Sequence, residues 1–374
     1  MGLSDYWLLC LDPLGNIIWQ NAIGGSGDDV PTDVISVPGG YIVGGYSTSG
    51  ISGDKTIASY GGQDFWLMKI NLSGNIVWQF AYGGSVNDRL WKIKKLLDGS
   101  YVLAGDSESG ISGVKTVPNY GLRDLWFIKI GGGGSVLWQQ DFGSASYDYL
   151  GDILEMEDGG FMVASYSSGN ITGIKTELSA NIWSSCCDYG IGEGSWSDVN
   201  DTWLLRLNEM GELIWDNTYQ DVYSNKNKVI FSSAPDRYCI AGDEWMDESP
   251  EPLTLETFNE DGYRIYATTL NGGLYYEDDE YGSINYTNGN CTMGTAFPMP
   301  DGSYIVAGSS DALADDFKSE GVMGVSDLHD FWIIKMGPDT CTLKPLYTDY
   351  DQDGAAGDWV SNVCANNLGY TMST

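Results

Sequence analysis

The chain states one motif several times. DYWLLCLDPLGNIIWQNAIGG starts at Asp5, DFWLMKINLSGNIVWQFAYGG at Asp64, DLWFIKIGGGGSVLWQQDFG at Asp124 and DTWLLRLNEMGELIWDNTY at Asp201. A truncated copy, DFWIIKMGPD, starts at Asp330. The opening aspartates are spaced by 59, 60, 77 and 129 residues, and the last interval holds a degenerate copy from Leu253 that has lost both tryptophans. Each copy reads as a β-hairpin, with aromatic and aliphatic runs on either side of a tight turn.

A glycine turn follows each hairpin and leads into two more strand-like runs, as in DRLWKIKKLL then YVLAGDSES, or GDILEMED then FMVASYSS. Four short antiparallel strands in a unit of about 60 residues are the pattern of a β-propeller blade. The expectation is an all-β fold: a β-propeller of four-stranded antiparallel blades, five in number with six as the alternative, over residues 1–340. A short acidic C-terminal module follows over 341–374, and Cys341 and Cys364 bracket a segment that a disulfide would close. The first hairpin is expected to pair with the last strands and seal the ring, which would remove exposed edges. Nine of the 14 tryptophans occupy the two equivalent hairpin positions. Large flat rings stamped into every repeat fill the wedge between twisted sheets, so their expected role is packing between blades.

Composition narrows function by exclusion. A net charge of −34 with 18 basic residues repels phosphate backbones and anionic headgroups, so neither nucleic-acid binding nor membrane-surface binding is expected. No run reaches the roughly 18 apolar residues of a membrane helix, so no membrane insertion is expected. The strand pattern begins almost at Met1 with no leader in view, as expected if export has removed one or the chain begins inside a longer protein. Seven cysteines without a CxxC pair argue against structural zinc, and the odd total leaves at least one thiol unpaired within the chain.

The wording of the repeats resembles a known family. SGISGDKTIASYGGQDFWLMKINLSGNIVWQ, with Ser52, Gly53, Lys55, Asp64, Trp66, Lys69, Gly74, Asn75 and Trp78, is similar to repeats of large surface proteins exported by type IX secretion. Gly113, Lys115, Asp124, Trp126, Lys129 and Trp138 match the next copy. The resemblance spans roughly residues 5 to 336 and is eroded from Asn217 to Gly289. It implies a non-catalytic, propeller-like module of a secreted or cell-surface protein, often adhesive, located extracellularly or on the outer cell surface, and it brings no catalytic residue set. The tail from Leu346 resembles a short acidic module of the same proteins through Asp349, Asp351, Asp353, Gly354, Cys364, Gly369 and Tyr370, with Asp358 displaced from that pattern.

Several stretches are candidates for chemistry. Asp349, Asp351 and Asp353 before Gly354 form the first half of a calcium loop, with Asp358 as a fourth donor; Val360 stands where a complete helix-loop-helix site needs a bidentate acid. A solvated acidic turn is the alternative. Tyr275, Tyr276 and Tyr281 lie among acids, and Trp183 and Trp196 sit in an insertion outside the repeat positions. Rings beside carboxylates suit sugars, which makes these five the expected ligand-binding residues for a glycan, with packing of surface loops as the competing reading. Lys55, Lys115 and Lys175 recur at a spacing of 60, and each is expected to serve its own blade. His329 is the sole histidine, no GxSxG surrounds a serine, and the five arginines, Arg89, Arg123, Arg206, Arg237 and Arg264, lie scattered in sequence.

The expected function is a non-catalytic binding, adhesion or structural module for a glycan or an extracellular protein partner. Alternatives are a carbohydrate-acting propeller enzyme, or a fragment of a longer adhesin. Arginines or paired acids converging in the central channel would favour the enzyme.

Overall fold

The computed structural model describes residues 2–169, 171–176 and 201–219 without a break, and beyond them the strands named below. Every regular element among the described residues is a β-strand, and no helix is long and apolar enough to cross a membrane, which says nothing about a β-barrel. The chain divides into two compact units, Met1–Val222 and Tyr223–Thr374.

In the first unit, β1 (Tyr6–Leu11) and β2 (Ile17–Ile23) form a two-stranded sheet. Three four-stranded antiparallel sheets follow. The first is β3 (Asp29–Val37), β4 (Gly40–Ser47), β5 (Asp64–Asn71) and β6 (Ile76–Tyr82). The second is β7 (Asp88–Lys95), β8 (Tyr101–Ser107), β9 (Asp124–Ile130) and β10 (Val136–Phe142). The third is β11 (Asp148–Glu155), β12 (Phe161–Ser167), β13 (Asp201–Leu207) and β14 (Leu213–Tyr219). The repeated hairpins are therefore the third and fourth strands of each sheet. The first strands β3, β7 and β11 pack on one another, while the fourth strands expose Val77, Leu137 and Ile214. These are the blades of a β-propeller, as the repeat predicts.

The second unit holds a further four-stranded sheet, β15 (Ser224–Ala234), β16 (Arg237–Glu244), β17 (Leu253–Asn259) and β18 (Arg264–Leu270). The degenerate copy supplies its hairpin β17–β18, so the strand pattern survives loss of the tryptophans. β19 (Leu274–Asp278) pairs with β20 (Ile284–Asn288). β21 (Cys291–Pro298), β22 (Tyr304–Ser310) and β23 (Asp330–Met336) form a three-stranded sheet. In the tail β24 (Leu343–Tyr347) pairs with β25 (Trp359–Cys364), Leu343 opposite Cys364. Cys341 lies outside the described residues, so the expected bridge to Cys364 does too; Cys10 is a free thiol.

Sheet-on-sheet packing explains why β5 and β9 read as nearly unbroken apolar runs: both faces are covered. Trp66, Trp126 and Trp203 are fully buried. Trp66 lies 5.0 Å from the ring of Tyr6 in the preceding sheet, and Trp126 lies 4.9 Å from Phe65. Their indole N–H groups donate to the fourth strand of their own sheet, to Gln79 at 3.2 Å, Gln139 at 3.2 Å and Asp216 at 2.9 Å. Fourth-strand aromatics reach forward to the next sheet's turn. Trp19 Nε1 donates to the Leu72 carbonyl at 2.8 Å, and the Tyr82 hydroxyl to that of Gly134 at 2.8 Å. The turn at Gly74 (φ 80°) sits close under Trp19 and Asn21, and a Cβ there would meet Asn21 Nδ2 at 2.6 Å. One copy departs from the packing expectation. Trp7 is 67% exposed, together with Leu9 and Leu11, because no described sheet of the first unit covers that face of β1.

Candidate functional site

Two polar systems occur at the end of the sheets where the first strand begins and the second ends. The first is stamped into each of the three four-stranded sheets of the first unit. Asp29 accepts from the Gly25 amide at 2.6 Å and the Ser49 hydroxyl at 2.9 Å. Asp88 does the same with Gly84 at 2.7 Å and Ser109 at 3.0 Å, and Asp148 with Ser144 at 2.7 Å and 3.0 Å. Beside them the repeated lysines are buried. Lys55 donates to Ser47 at 2.8 Å and the Ser49 carbonyl at 2.7 Å, Lys115 to Ser107 at 2.8 Å, and Lys175 to the Gly169 carbonyl at 2.9 Å. Lys55 and Lys115 also stand over the rings of Trp66 and Trp126, at 5.6 and 5.5 Å. Each lysine serves its own sheet, as the spacing predicts. This system is structural.

The second system occurs once among the described residues. Arg89 on β7 and Arg123, the residue before β9, both reach Asp106 on β8 and Glu108 just beyond it. Arg89 Nη1 lies 3.4 Å from Asp106 Oδ1 and 3.3 Å from Glu108 Oε1. Arg123 Nε lies 3.5 Å from Asp106 and 3.2 Å from Glu108, and its Nη2 binds the same Glu108 oxygen. Trp91 donates its indole N–H to Asp106, Gln63 accepts from Arg89 Nε, and Asn87 donates to Glu108 at 2.8 Å. The Arg123 guanidinium is 5.0 Å from the ring of Tyr149 and 5.9 Å from that of Tyr147. Those two rings stack at 6.3 Å with 13° between planes. Asp106 is fully buried, whereas each guanidinium and Glu108 keep a solvent-facing fraction of about a fifth.

The charges are tuned by this company. Burial pushes the Asp106 carboxyl above its usual range, against the Trp91 N–H and the two guanidiniums. For Glu108 burial also opposes the charge, but the Asn87 amide and Arg123 outweigh it and hold the carboxyl below its usual range. The arrangement presents hydrogen-bond donors and an acceptor beside flat rings, with cations and anions balanced. Just below, Lys92 and Lys94 on β7 lie 3.5 and 3.7 Å from the same oxygen of Asp152 on β11.

Sequence reasoning treats the arginines as scattered; the structure brings Arg89 and Arg123 together. The available signal was departure from the repeat. Asp106 stands where the other two sheets have Tyr46 and Tyr166, and Arg89 where they have Val30 and Tyr149.

The residues singled out from sequence lie elsewhere. Tyr275 and Tyr276 fall on β19, opposite Thr287 and Tyr286. Trp183, Trp196, Tyr281, His329, Asp349, Asp351, Asp353 and Asp358 lie outside the described residues. Among the described residues no three acids, cysteines or histidines are grouped to hold a metal ion. A cleft of about 500 Å³ beside β1, lined by Trp7, Leu9, Trp19, Val34 and Tyr41, has no charged side chain in its lining.

The fold and site together define an all-β, propeller-type protein with an arginine–carboxylate–tyrosine cluster that is not repeated among the described residues. The sequence matches no protein-family model and no curated protein. Among solved structures, Kuenenia stuttgartiensis hydrazine synthase is similar with a TM-score of 0.43 at 9% identity, over 81% of this chain and 70% of that one. A subtype N10 neuraminidase-like protein of the A/little yellow-shouldered bat/Guatemala strain gives 0.37 at 8% identity, over 91% and 88%. A GH43 β-1,3-galactosidase gives 0.34 at 14% identity, over 82% and 57%. Likeness at this level carries no argument about what the chain binds or catalyses.

Proposed function

We propose that this chain is a non-catalytic, glycan-binding propeller module of an extracellular or outer-surface protein, as its resemblance to type IX-exported repeat proteins implies. The observation that carries the binding reading is the cluster of Arg89, Arg123, Asp106, Glu108, Tyr147 and Tyr149. Repeated positions serve the fold in the three four-stranded sheets of the first unit, so a set of polar and aromatic side chains found in just one of those three calls for a local purpose. Sugar hydroxyls accept from guanidiniums and amides and donate to carboxylates, and the apolar faces of pyranose rings lie on tyrosine rings. The balanced charge fits a ligand that is mostly hydroxyl.

A carbohydrate-acting enzyme is the second reading, favoured by the same convergence of arginines and acids. Against it, Asp106 is fully buried and held by two guanidiniums and an indole, and Glu108 is pinned by Arg123 and Asn87. Neither carboxyl is left free to pass a proton to a leaving group.

The test is a glycan array with wild type and Tyr149→Ala, with calcium and with EDTA, since Asp349, Asp351, Asp353 and Asp358 are proposed calcium donors. A selective hit that Tyr149→Ala abolishes supports the site. A hit that survives it and fails with Trp183→Ala or Tyr275→Ala moves binding to the loops. Release of reducing sugar from the bound glycan would establish the enzyme instead.

A further inference from the structure

The second sheet's innermost strand is unlike the rest of the molecule. β7 carries Arg89, Lys92, Lys94 and Lys95, four of the chain's 18 basic residues in eight positions of a protein with net charge −34. The equivalent strands place Asp33 and Asp152 where β7 has Lys92, and Ile35 and Leu154 where it has Lys94. A bulge between Leu90 and Lys92 resets the alternation. Leu90 and Ile93 are buried in one core cluster, and Lys92 and Lys94 both turn toward Asp152 on the neighbouring strand β11.

Both ammonium groups share a single Asp152 oxygen, at 3.5 and 3.7 Å, distances of charge contact longer than a good hydrogen bond. Each lysine side chain keeps about a third of its surface in solvent, while Asp152 is almost fully buried. One buried carboxylate cannot use the donors of two ammonium groups, so both can still point donors at a ligand. At a rise of about 3.3 Å per residue, these lysines stand roughly 10–16 Å along β7 from Arg89. That is the reach of a second or third sugar beyond one resting on Tyr149.

We propose that the glycan taken at the Arg89–Arg123–Tyr149 cluster is an acidic one, and that Lys92 and Lys94 receive a carboxylate of a neighbouring sugar unit. This rests on the glycan-binding reading and adds the ligand's charge and the residues that read it. In so acidic a protein the long-range field opposes such a ligand. Affinity must come from short-range contacts, which is why two lysines are gathered around one buried acid.

The experiment is titration calorimetry with polygalacturonate and with its fully methyl-esterified form, which keeps the backbone and removes the charge. Wild type, Lys92→Gln/Lys94→Gln and Tyr149→Ala are compared, with circular dichroism confirming that each is folded. The expected result is preference for the charged polymer, lost by about tenfold in the double-lysine variant while binding of the ester is unchanged. Tyr149→Ala weakens both polymers. Equal binding of the two polymers by wild type, or a preference that survives loss of both lysines, overturns the acidic-ligand inference and leaves glycan binding standing. Binding of neither polymer overturns this inference; only a blank glycan array removes the reading beneath it.

Discussion

The guanidinium of Arg123 lies 5.0 Å from the ring of Tyr149 while its Nε points at Asp106 3.5 Å away, so one side chain joins the third sheet's first strand to a buried acid of the second. That geometry makes Arg123 structural and ligand-facing at once. Removing it as Arg123→Met leaves Asp106 with Arg89 and Trp91 alone. Breaking a buried pair costs about 3–5 kcal/mol, but the guanidinium is partly exposed and Arg89 remains. The expected loss is therefore about 1–3 kcal/mol, read as a lower urea midpoint at constant slope. A change below half a kcal/mol would show that Asp106 does not depend on Arg123.

Trp66 and Trp7 hold the same position in the repeat and opposite environments, one fully buried and the other 67% exposed. Trp66→Ala empties a site between Tyr6, Lys55 and Met68 and should cost about 3–5 kcal/mol. Trp7→Ala should cost less than about 1 kcal/mol. Equal losses in thermal unfolding would mean that the face of β1 is covered in solution.

Those two tryptophans also mark how far the sequence could be read. The sixty-residue period made the blade legible, because each strand's alternation and each turn glycine recur in register. The role of Lys55, Lys115 and Lys175 was legible for the same reason: what repeats with the fold serves the fold. The fate of Trp7 was not, since burial in a stacked array depends on a neighbour that the local pattern does not specify. The arginine cluster was illegible for another reason. Arg89, Asp106, Arg123 and Tyr149 span 60 residues, and only the pairing of β7 with β8 and the packing of β7 on β11 bring them together. Comparing each repeat with the others, and asking where one sheet breaks the rule, would have pointed at Asp106.

Lys115 is such a break within the repeated staple. Its ammonium lies 2.5 Å from Asp141, both side chains essentially without solvent, where the first sheet has Ala81 in place of the acid. Lys115→Met strands that carboxyl and should cost about 3–5 kcal/mol. Lys55→Met, which loses bonds to Ser47 and the Ser49 carbonyl and the contact over the Trp66 ring but strands no paired acid, should cost about 2 kcal/mol. Adding Asp141→Ala to Lys115→Met should restore part of the loss. A double variant no more stable than the single one would show that the two side chains are not coupled.

Buried acids at the strand ends of the same sheets give the protein an unusual response to acid. Burial raises the carboxyls of Asp64, Asp88 and Asp124, and raises that of Asp148 to about 6. A carboxyl whose folded pKa stands above its unfolded value holds its proton more tightly when folded. Lowering the pH through about 6 therefore adds stability, and the gain levels off near the unfolded value of 3.8. Asp148 alone would contribute about 3 kcal/mol across that window. Acids held below their usual range act oppositely but lower on the scale. Asp98, drawn down to about 2 by Ser100 and Lys129, supplies stability that is lost only as pH falls below about 4. The melting temperature should accordingly rise from pH 7 to pH 5 and fall again below pH 4. Asp148→Asn should flatten the upper limb and leave the lower one in place. A melting temperature that falls steadily from pH 7 to pH 5 would mean that these buried acids are already neutralised by a partner at neutral pH.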